Sequence, residues 1–178
     1  PTTVYMQRDG RHDHSFSIPV PELTIELGIP NACNRCHTKE DAAWSVKTLD
    51  EWFPDRTERP AVRRARALHA VRELNPGSHG LVAKALKDEP LPFWRAALTG
   101  VLARTDEPVL AIPLLLQGMV SEDPLRRWAA AQDGGELINQ SGDEDSIAAG
   151  LRKLLEDPVR AVRVAAAWGL RRSIDEEH

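Results

Sequence analysis

Cysteine is scarce in this chain, since 178 residues contain two of them, Cys33 and Cys36. Both lie within one short motif, so no second pair remains for the disulfide framework that stabilises many small secreted domains. The length is sufficient for a hydrophobic core without such cross-links, in one domain or in a small domain joined to a larger one. The disulfide-rich class of fold is therefore excluded.

Long apolar runs and an excess of positive charge are also missing. No segment has the roughly 18 consecutive apolar residues that a membrane-spanning helix needs, and the most apolar segment, Val109 to Val120, is interrupted by Pro113, Gln117 and Gly118. We therefore expect no membrane span. The formal net charge is −4, and nonspecific nucleic-acid binding depends on Lys and Arg that neutralise phosphates. Nucleic acid is therefore not an expected partner.

What the chain does contain is the motif Cys33-Asn34-Arg35-Cys36-His37. Two thiols separated by two residues can form thioethers with both vinyl groups on one edge of a porphyrin, and the histidine that follows then lies beneath the ring with its imidazole directed at the iron. We therefore predict that Cys33 and Cys36 attach one haem c covalently and that His37 is the proximal iron ligand. Electron transfer is the function that this prediction favours.

Two other interpretations of the motif stay open. A zinc site would need two further ligands, and because the chain has no other cysteine, a Cys/Cys/His/His set is the version that it could supply. A thioredoxin-like redox pair would need a βαβ context, whereas a proline-containing segment precedes the motif and a helical pattern follows it. Both interpretations fit the sequence less well than haem attachment does.

The sixth iron ligand has its main candidates in the segment that precedes the motif. Proximity to Cys33 favours His14 first and His12 second, and Asp13 between them is placed to orient an imidazole through its ring N–H. Met6 is the third candidate and would give a higher reduction potential than two histidines. Two strong-field ligands leave no open coordination position, so an electron-transfer protein is favoured over an enzyme. A haem reductase or peroxidase would need an open sixth site with acid–base residues nearby.

The first 32 residues are divided by prolines and glycines, and neither helical nor strand periodicity persists in them. This pattern favours an irregular segment, with Ile18–Pro21 extended because each proline pushes its predecessor toward extended geometry. A free loop of this length is unusual, so a large flat cofactor is expected to hold it. From Thr38, a potential N-cap, apolar residues recur at helical spacing as far as Pro54. We therefore assign residues 1–54 to a haem-binding segment.

The rest of the chain is repetitive. Pro90, Pro124 and Pro158 recur at equal intervals of 34 residues; each follows an acidic residue and precedes a cluster of Arg, Ala and an aromatic residue. Constant spacing of this size is typical of helical hairpins that stack into an α-solenoid. The pattern resembles HEAT-type repeats over roughly residues 58–172. Residues 55–178 are thus predicted to form a HEAT-like repeat domain, and the fold class is all-α.

Several aromatic and histidine residues outside the motif are given structural roles. His69 is expected to be a partly buried helix residue and His79 an exposed loop residue. The five tryptophans are mostly expected in the core by their spacing, with packing on the porphyrin as an alternative for the first two: Trp44, Trp52, Trp94, Trp128 and Trp168.

The segments Tyr5-Met6, Arg11-His12-Asp13-His14-Ser15-Phe16 and Pro30-Asn31-Ala32, together with the motif, resemble bacterial multihaem c-type cytochromes of the cytochrome c-554 type. In that family HEAT or tetratricopeptide repeats follow the last haem motif. The resemblance is close over residues 1–53 and looser over the repeats. It implies export before haem attachment, and hence a periplasmic or extracellular location.

The resemblance also bears on the number of haems. In such relatives the segment around His12 and His14 follows another haem motif, which implies that one of these histidines serves a neighbouring haem. The chain is then expected to be a module or subunit of a larger multihaem cytochrome, or part of a homo-oligomer, with other haem domains or redox proteins as partners. The alternative function is a helical-repeat scaffold for protein interactions, in which the haem or a zinc ion is mainly structural.

Overall fold

The computed structural model describes residues 2–5, 9–12, 18–138 and 144–174, with side chains described over 18–138 and 146–171. The chain divides into two compact units, Pro1–Arg56 and Thr57–His178. Apart from one short hairpin, the regular elements of the described residues are helices. The predicted all-α fold class is confirmed. None of the described helices is long and apolar enough to cross a membrane.

The first unit contains an antiparallel hairpin and three helices. In the hairpin, Thr2 lies opposite His12, and the third helix packs against the other two. The elements are β1 (Thr2–Tyr5), β2 (Asp9–His12), α1 (Pro21–Leu27), α2 (Cys33–Cys36) and α3 (Ala42–Trp52).

The prediction of an irregular N-terminal segment is wrong for the hairpin and for α1. Pro21, which was expected to be extended, is the first residue of α1, where its fixed φ suits a helix and its missing N–H is not needed. Gly28 ends this helix with φ 69°, a left-handed conformation that glycine adopts without strain. Because α1 has seven residues, it is too short for a helical period to be visible in the sequence.

The second unit is helical throughout its described residues, and its contacts follow two rows of helices. The elements are α4 (Pro60–Arg72), α5 (Ser78–Lys87), α6 (Pro92–Thr99), a 3-10 turn (Leu102–Arg104), α7 (Pro108–Met119), α8 (Pro124–Leu137), α9 (Glu144–Leu154) and α10 (Arg160–Ile174). In one row α7 contacts both α5 and α9, and in the other α8 contacts both α6 and α10. The rows are joined where α4 packs on α5, α7 on α8 and α9 on α10. The HEAT-like solenoid stays a prediction.

The acidic residue that precedes a repeated proline links neighbouring helices. The Arg64 guanidinium donates to both carboxylate oxygens of Glu89, at 2.9 and 2.8 Å. Arg64 uses a single nitrogen, Nη1, for both bonds, whereas Arg127 donates from Nε and from Nη2 to separate carboxylate oxygens of Asp157, at 2.6 and 3.1 Å. Both carboxylates are buried, and hydrogen bonds between charged groups are among the stronger ones in proteins. The sequence repeat marks these residues, but their partners lie 25 and 30 residues away.

The hydrophobic core of the described residues lies mainly in the second unit. Its largest completely buried side chains come from α6 to α9, the 3-10 turn and the C-cap of α8: Leu98, Leu102, Leu115, Leu137, Ile138, Ile147 and Leu151. Small residues let α8 and α10 approach closely, since a Cβ added at Gly135 would lie 2.5 Å from the Cα of Gly169. The expectation of buried tryptophans is wrong for Trp52 and Trp168, which are 68% and 60% exposed.

Candidate cofactor site

The Cys-X-X-Cys-His motif occupies α2 and the residue that ends it. α2 is a single turn with Ala32 as its N-cap and His37 as its C-cap, and the His37 N–H donates to the Cys33 carbonyl oxygen at 2.9 Å. Residues three apart on a helical turn share one face. The turn therefore presents the thiols of Cys33 and Cys36 on the same side and places the imidazole directly after them.

All three donor side chains of the motif are accessible. Cys33 is half-buried, whereas Cys36 and His37 are exposed, and both cysteines are free thiols. Among the described residues, these side chains do not belong to any group of three His, Cys, Asp or Glu side chains with ligand atoms within 4.8 Å of one another. The described part of the chain therefore does not place further ligands around the motif for the zinc alternative. Two accessible, unpaired thiols are what thioether formation at two separate vinyl groups requires.

A network of polar side chains holds this turn in place. Asn31, which is buried, donates through Nδ2 to Thr24 Oγ1 at 2.9 Å and to Asn34 Oδ1 at 2.8 Å. Its own Oδ1 accepts from the Asn34 N–H at 3.2 Å. Asn34 Nδ2 donates to the Glu40 carbonyl at 2.8 Å, and the Ser45 hydroxyl donates to Asn34 Oδ1 at 3.3 Å. These bonds connect α1, α2 and α3, so the turn that carries the two cysteines is hydrogen-bonded to both neighbouring helices.

The helix that follows the motif has Asp41 as its N-cap, so the expectation that Thr38 caps it is wrong. Asp41 Oδ1 accepts from the Trp44 N–H at 2.7 Å, which satisfies one of the free donors of the first turn. The Trp44 ring lies 4.8 Å from the His37 ring, centroid to centroid, with 43° between their planes. This aromatic contact restricts the rotation of the imidazole. Packing of Trp44 on a porphyrin stays a prediction.

The predicted distal ligands cannot be placed at the site. His12 ends β2, but its side chain, and the whole of His14 and Met6, lie outside the described residues. The choice among these three residues stays a prediction.

The first unit buries little apolar surface within its described side chains, residues 18–56. The buried side chains are Pro21 and Leu23, which are apolar, and Asn31 and Ser45, which are polar. Five large apolar side chains of the same unit are instead exposed: Ile18, Ile25, Ile29, Trp52 and Phe53. A small unit in which the described side chains form so little apolar core commonly depends on a metal, a cofactor or a partner for stability.

No protein-family model, curated protein or solved structure matches this chain. The residues of the motif and of its surroundings therefore carry the argument for the cofactor.

An ion-pair cluster that sequence reasoning missed links α1 to the end of the first unit. The Arg56 guanidinium pairs with Glu22 of α1 and with Asp50 of α3. The hydrogen bond that Arg56 donates to Glu22 is the main reason that the pKa of Arg56 lies above its usual value. Burial opposes this effect, and a further bond donated to Asp50 adds to it. Because the three residues are separated by up to 34 positions, no local sequence signal marks them.

Proposed function

We propose that this chain is an electron-transfer module that holds a c-type haem covalently at Cys33 and Cys36, with His37 as the proximal iron ligand. The observation that carries the proposal is an accessible Cys-X-X-Cys-His turn in a unit with five exposed large apolar side chains among its described residues. When bound, the haem supplies reversible one-electron exchange between ferric and ferrous iron.

The donor set of the motif fits this group. Each thiol is free to add across one vinyl double bond, so that a carbon–sulfur bond forms and the thiol hydrogen passes to the neighbouring vinyl carbon. The exposed His37 imidazole offers a nitrogen to the metal without first breaking a buried contact. The proposal is therefore compatible with the chemistry of all three side chains.

The neighbours of the motif support the same assignment. Asn31 and Asn34 hold the turn from which the cysteines project, and Trp44 limits the orientations that the His37 ring can adopt. Exposed apolar side chains of the unit would be covered by a large flat ligand, and each 100 Å² of apolar surface removed from water contributes about 2.5 kcal/mol. Cofactor binding would thus supply the stabilisation that the small core does not.

The haem assignment also bears on where the protein acts and which proteins it contacts. Attachment of the haem after export places the protein in the periplasm or outside the cell, as the resemblance to multihaem cytochromes implies. The partners are then other haem domains or redox proteins, within a larger cytochrome or a homo-oligomer. His14, or else His12 or Met6, completes the coordination of the iron.

The direct test is expression of the chain with an export signal in a host that matures c-type cytochromes. We expect a pyridine haemochrome spectrum of the c type and an intact mass that exceeds the polypeptide by one haem under denaturing conditions. Cys33→Ser with Cys36→Ser should abolish both signals, whereas Arg35→Lys, a conservative change within the motif, should keep them. A correctly exported chain with the bare polypeptide mass and no Soret band would rule the proposal out.

The axial ligands need a second measurement. Near-infrared magnetic circular dichroism of the oxidised protein distinguishes His/His from His/Met and from open coordination. We expect a His/His spectrum that changes on His14→Ala. A spectrum of an open site in the wild-type protein would contradict the electron-transfer assignment and favour an enzyme.

One observation favours an interaction scaffold as a second candidate function. An open groove of about 520 Å³ lies within the second unit, and Phe93, Trp128 and Trp168 contribute to its lining. Exposed aromatic side chains in a groove are typical of surfaces that bind other proteins. Phe93→Ser with Trp168→Ser should leave haem content unchanged under both hypotheses. Loss of electron exchange with a partner would show that the groove serves the redox function, and loss of complex formation alone would favour the scaffold.

A further inference from the structure

A second group of metal-ligating side chains lies in the second unit, apart from the cysteine motif. It consists of His79, Asp106 and Glu107, whose ligand atoms all lie within 4.8 Å of one another. The expectation that His79 is an exposed loop residue is wrong: it is the second residue of α5 and is partly buried. The two acidic residues directly precede α7, so the packing of α5 and α7 brings the three together.

The distances among these atoms match those of a zinc site. His79 Nδ1 is 3.3 Å from Asp106 Oδ1 and 3.4 Å from Glu107 Oε2. Zinc binds imidazole nitrogen and carboxylate oxygen at about 2.0–2.1 Å. In a tetrahedral site the distance between two ligand atoms is about 1.63 times the zinc–ligand distance, which gives about 3.3–3.4 Å. Two edges of a tetrahedron are therefore already present. The third edge joins the carboxylate oxygens of Asp106 and Glu107. The Glu107 side chain is 59% exposed, so it has room to move and adjust this distance.

The Asp106 carboxylate is held by donors other than the imidazole ring. Its Oδ1 accepts from the Ser78 hydroxyl at 2.8 Å and from the His79 N–H at 3.1 Å, and its Oδ2 accepts from the Gly77 N–H at 2.5 Å. Bonds of this kind fix the orientation of a metal-ligating carboxylate. They also cap the first turn of α5, so Asp106 is ordered whether or not a metal is present.

A simple hydrogen bond is the competing explanation of the same geometry. One imidazole proton of His79 would then be shared between Asp106 and Glu107.

A cation in that position is disfavoured by the N-terminal ends of α5 and α7, where the helix dipoles place partial positive charge. The two carboxylates oppose this effect, because together they carry the charge that neutralises a divalent ion. An imidazole donor selects against Mg²⁺ and Ca²⁺, which prefer oxygen ligands.

We propose that His79, Asp106 and Glu107 bind one Zn²⁺ ion, with a water molecule in the fourth position. The ion joins the start of α5 to the segment that precedes α7. It thereby stabilises the second unit in the folded state, since a ligand that binds the folded chain alone shifts the unfolding equilibrium.

The test uses the full chain with Cys33→Ser and Cys36→Ser, so that the motif thiols do not bind zinc and carry no haem. Titration with zinc chloride in a calorimeter should show one site with a micromolar Kd. His79→Gln and Glu107→Gln should each weaken binding by about 10-fold or more, since loss of a direct ligand costs at least as much as loss of an outer-shell partner. The matched controls are His69→Gln, another partly buried histidine of the same unit, and Glu122→Gln, and both should leave the Kd unchanged.

A second readout is the melting temperature, which zinc should raise in the parent chain and in both controls but not in the His79 variant. Zinc binding that persists unchanged in His79→Gln, or no binding at 100 µM zinc, would overturn the proposal. Because the tested chain lacks both motif thiols, neither result depends on whether haem attachment occurs.

Discussion

Asp133 is a buried carboxylate in the middle of α8, with 4% of its surface exposed. Its Oδ2 accepts from the Ala103 N–H of the 3-10 turn at 2.9 Å. Burial raises the pKa of Asp133 to about 6; the bond from Ala103 and the charge of Arg104 oppose the rise, and the charge of Glu136 adds to it. The carboxyl group therefore binds its proton more tightly in the folded chain than in the unfolded one.

The sign of the resulting pH dependence follows from this difference. Protonation of Asp133 favours the folded state, so its contribution is complete below the unfolded pKa of 3.8 and is lost as the pH rises through about 6. A folded pKa near 6 corresponds to a total of about 3 kcal/mol, at 1.36 kcal/mol for each pKa unit. Between pH 4.5 and pH 8 the contribution falls by about 2 kcal/mol.

Asp133→Asn removes this titration and keeps an oxygen that can accept the bond from Ala103. Burial of the amide adds a penalty that does not depend on pH. We therefore expect the free energy of unfolding of the variant minus that of wild type to be about 2 kcal/mol larger at pH 8 than at pH 4.5, so that the variant is relatively more stable at pH 8. Urea denaturation followed by far-UV circular dichroism at both pH values measures the quantity.

The matched control is Asp88→Asn, an exposed aspartate at the end of α5. The stability of this variant relative to wild type should be the same at both pH values. If Asp133→Asn behaves like the control, the argument that burial governs this carboxyl group is refuted.

Two further changes test the packing and the motif turn. Gly135→Ala should lower the free energy of unfolding by about 1–3 kcal/mol, because the new methyl group would meet the backbone of Gly169. The control Gly80→Ala, in an open position of α5, should instead raise the free energy of unfolding by about 0.5–1 kcal/mol in the same urea titration. Equal effects of the two substitutions would contradict the close approach of α8 and α10. Asn34→Ala should reduce the fraction of exported chain that carries haem, because the hydrogen bonds that hold the turn are lost. Arg35→Ala, which changes an exposed side chain, should not reduce this fraction. Equal haem yields of the two variants, measured by pyridine haemochrome per mole of protein, would show that the turn needs no such support.

The helical class of the fold and the layout of the candidate site were accessible from the sequence because both depend on local spacing. Five consecutive residues define the Cys-X-X-Cys-His motif, and their order alone places two thiols and an imidazole on one turn. Repeated prolines, each after an acidic residue, marked the helices of the second unit, and Pro124 begins α8 as such a residue should. Local patterns were less informative where elements are short, as in α1 and the hairpin.

Contacts between distant residues were not accessible in the same way. Asn31 and Asn34 acquire their role from Thr24 and Ser45 on two other helices. The exposure of Trp52 was likewise not predictable from the sequence. Helical spacing shows which residues share a face, but it does not show whether another element covers that face.

By itself, the sequence determined which chemistry the chain can carry, since the identity and order of the residues from Cys33 to His37 do not depend on how the chain folds. Tertiary structure alone decided which separated groups act together. His79 meets Asp106 and Glu107 only where α5 and α7 pack, and Asp133 acquires its raised pKa only because α8 is covered. The physical reason is that burial and the proximity of distant charges arise from packing, which no single segment of the chain encodes.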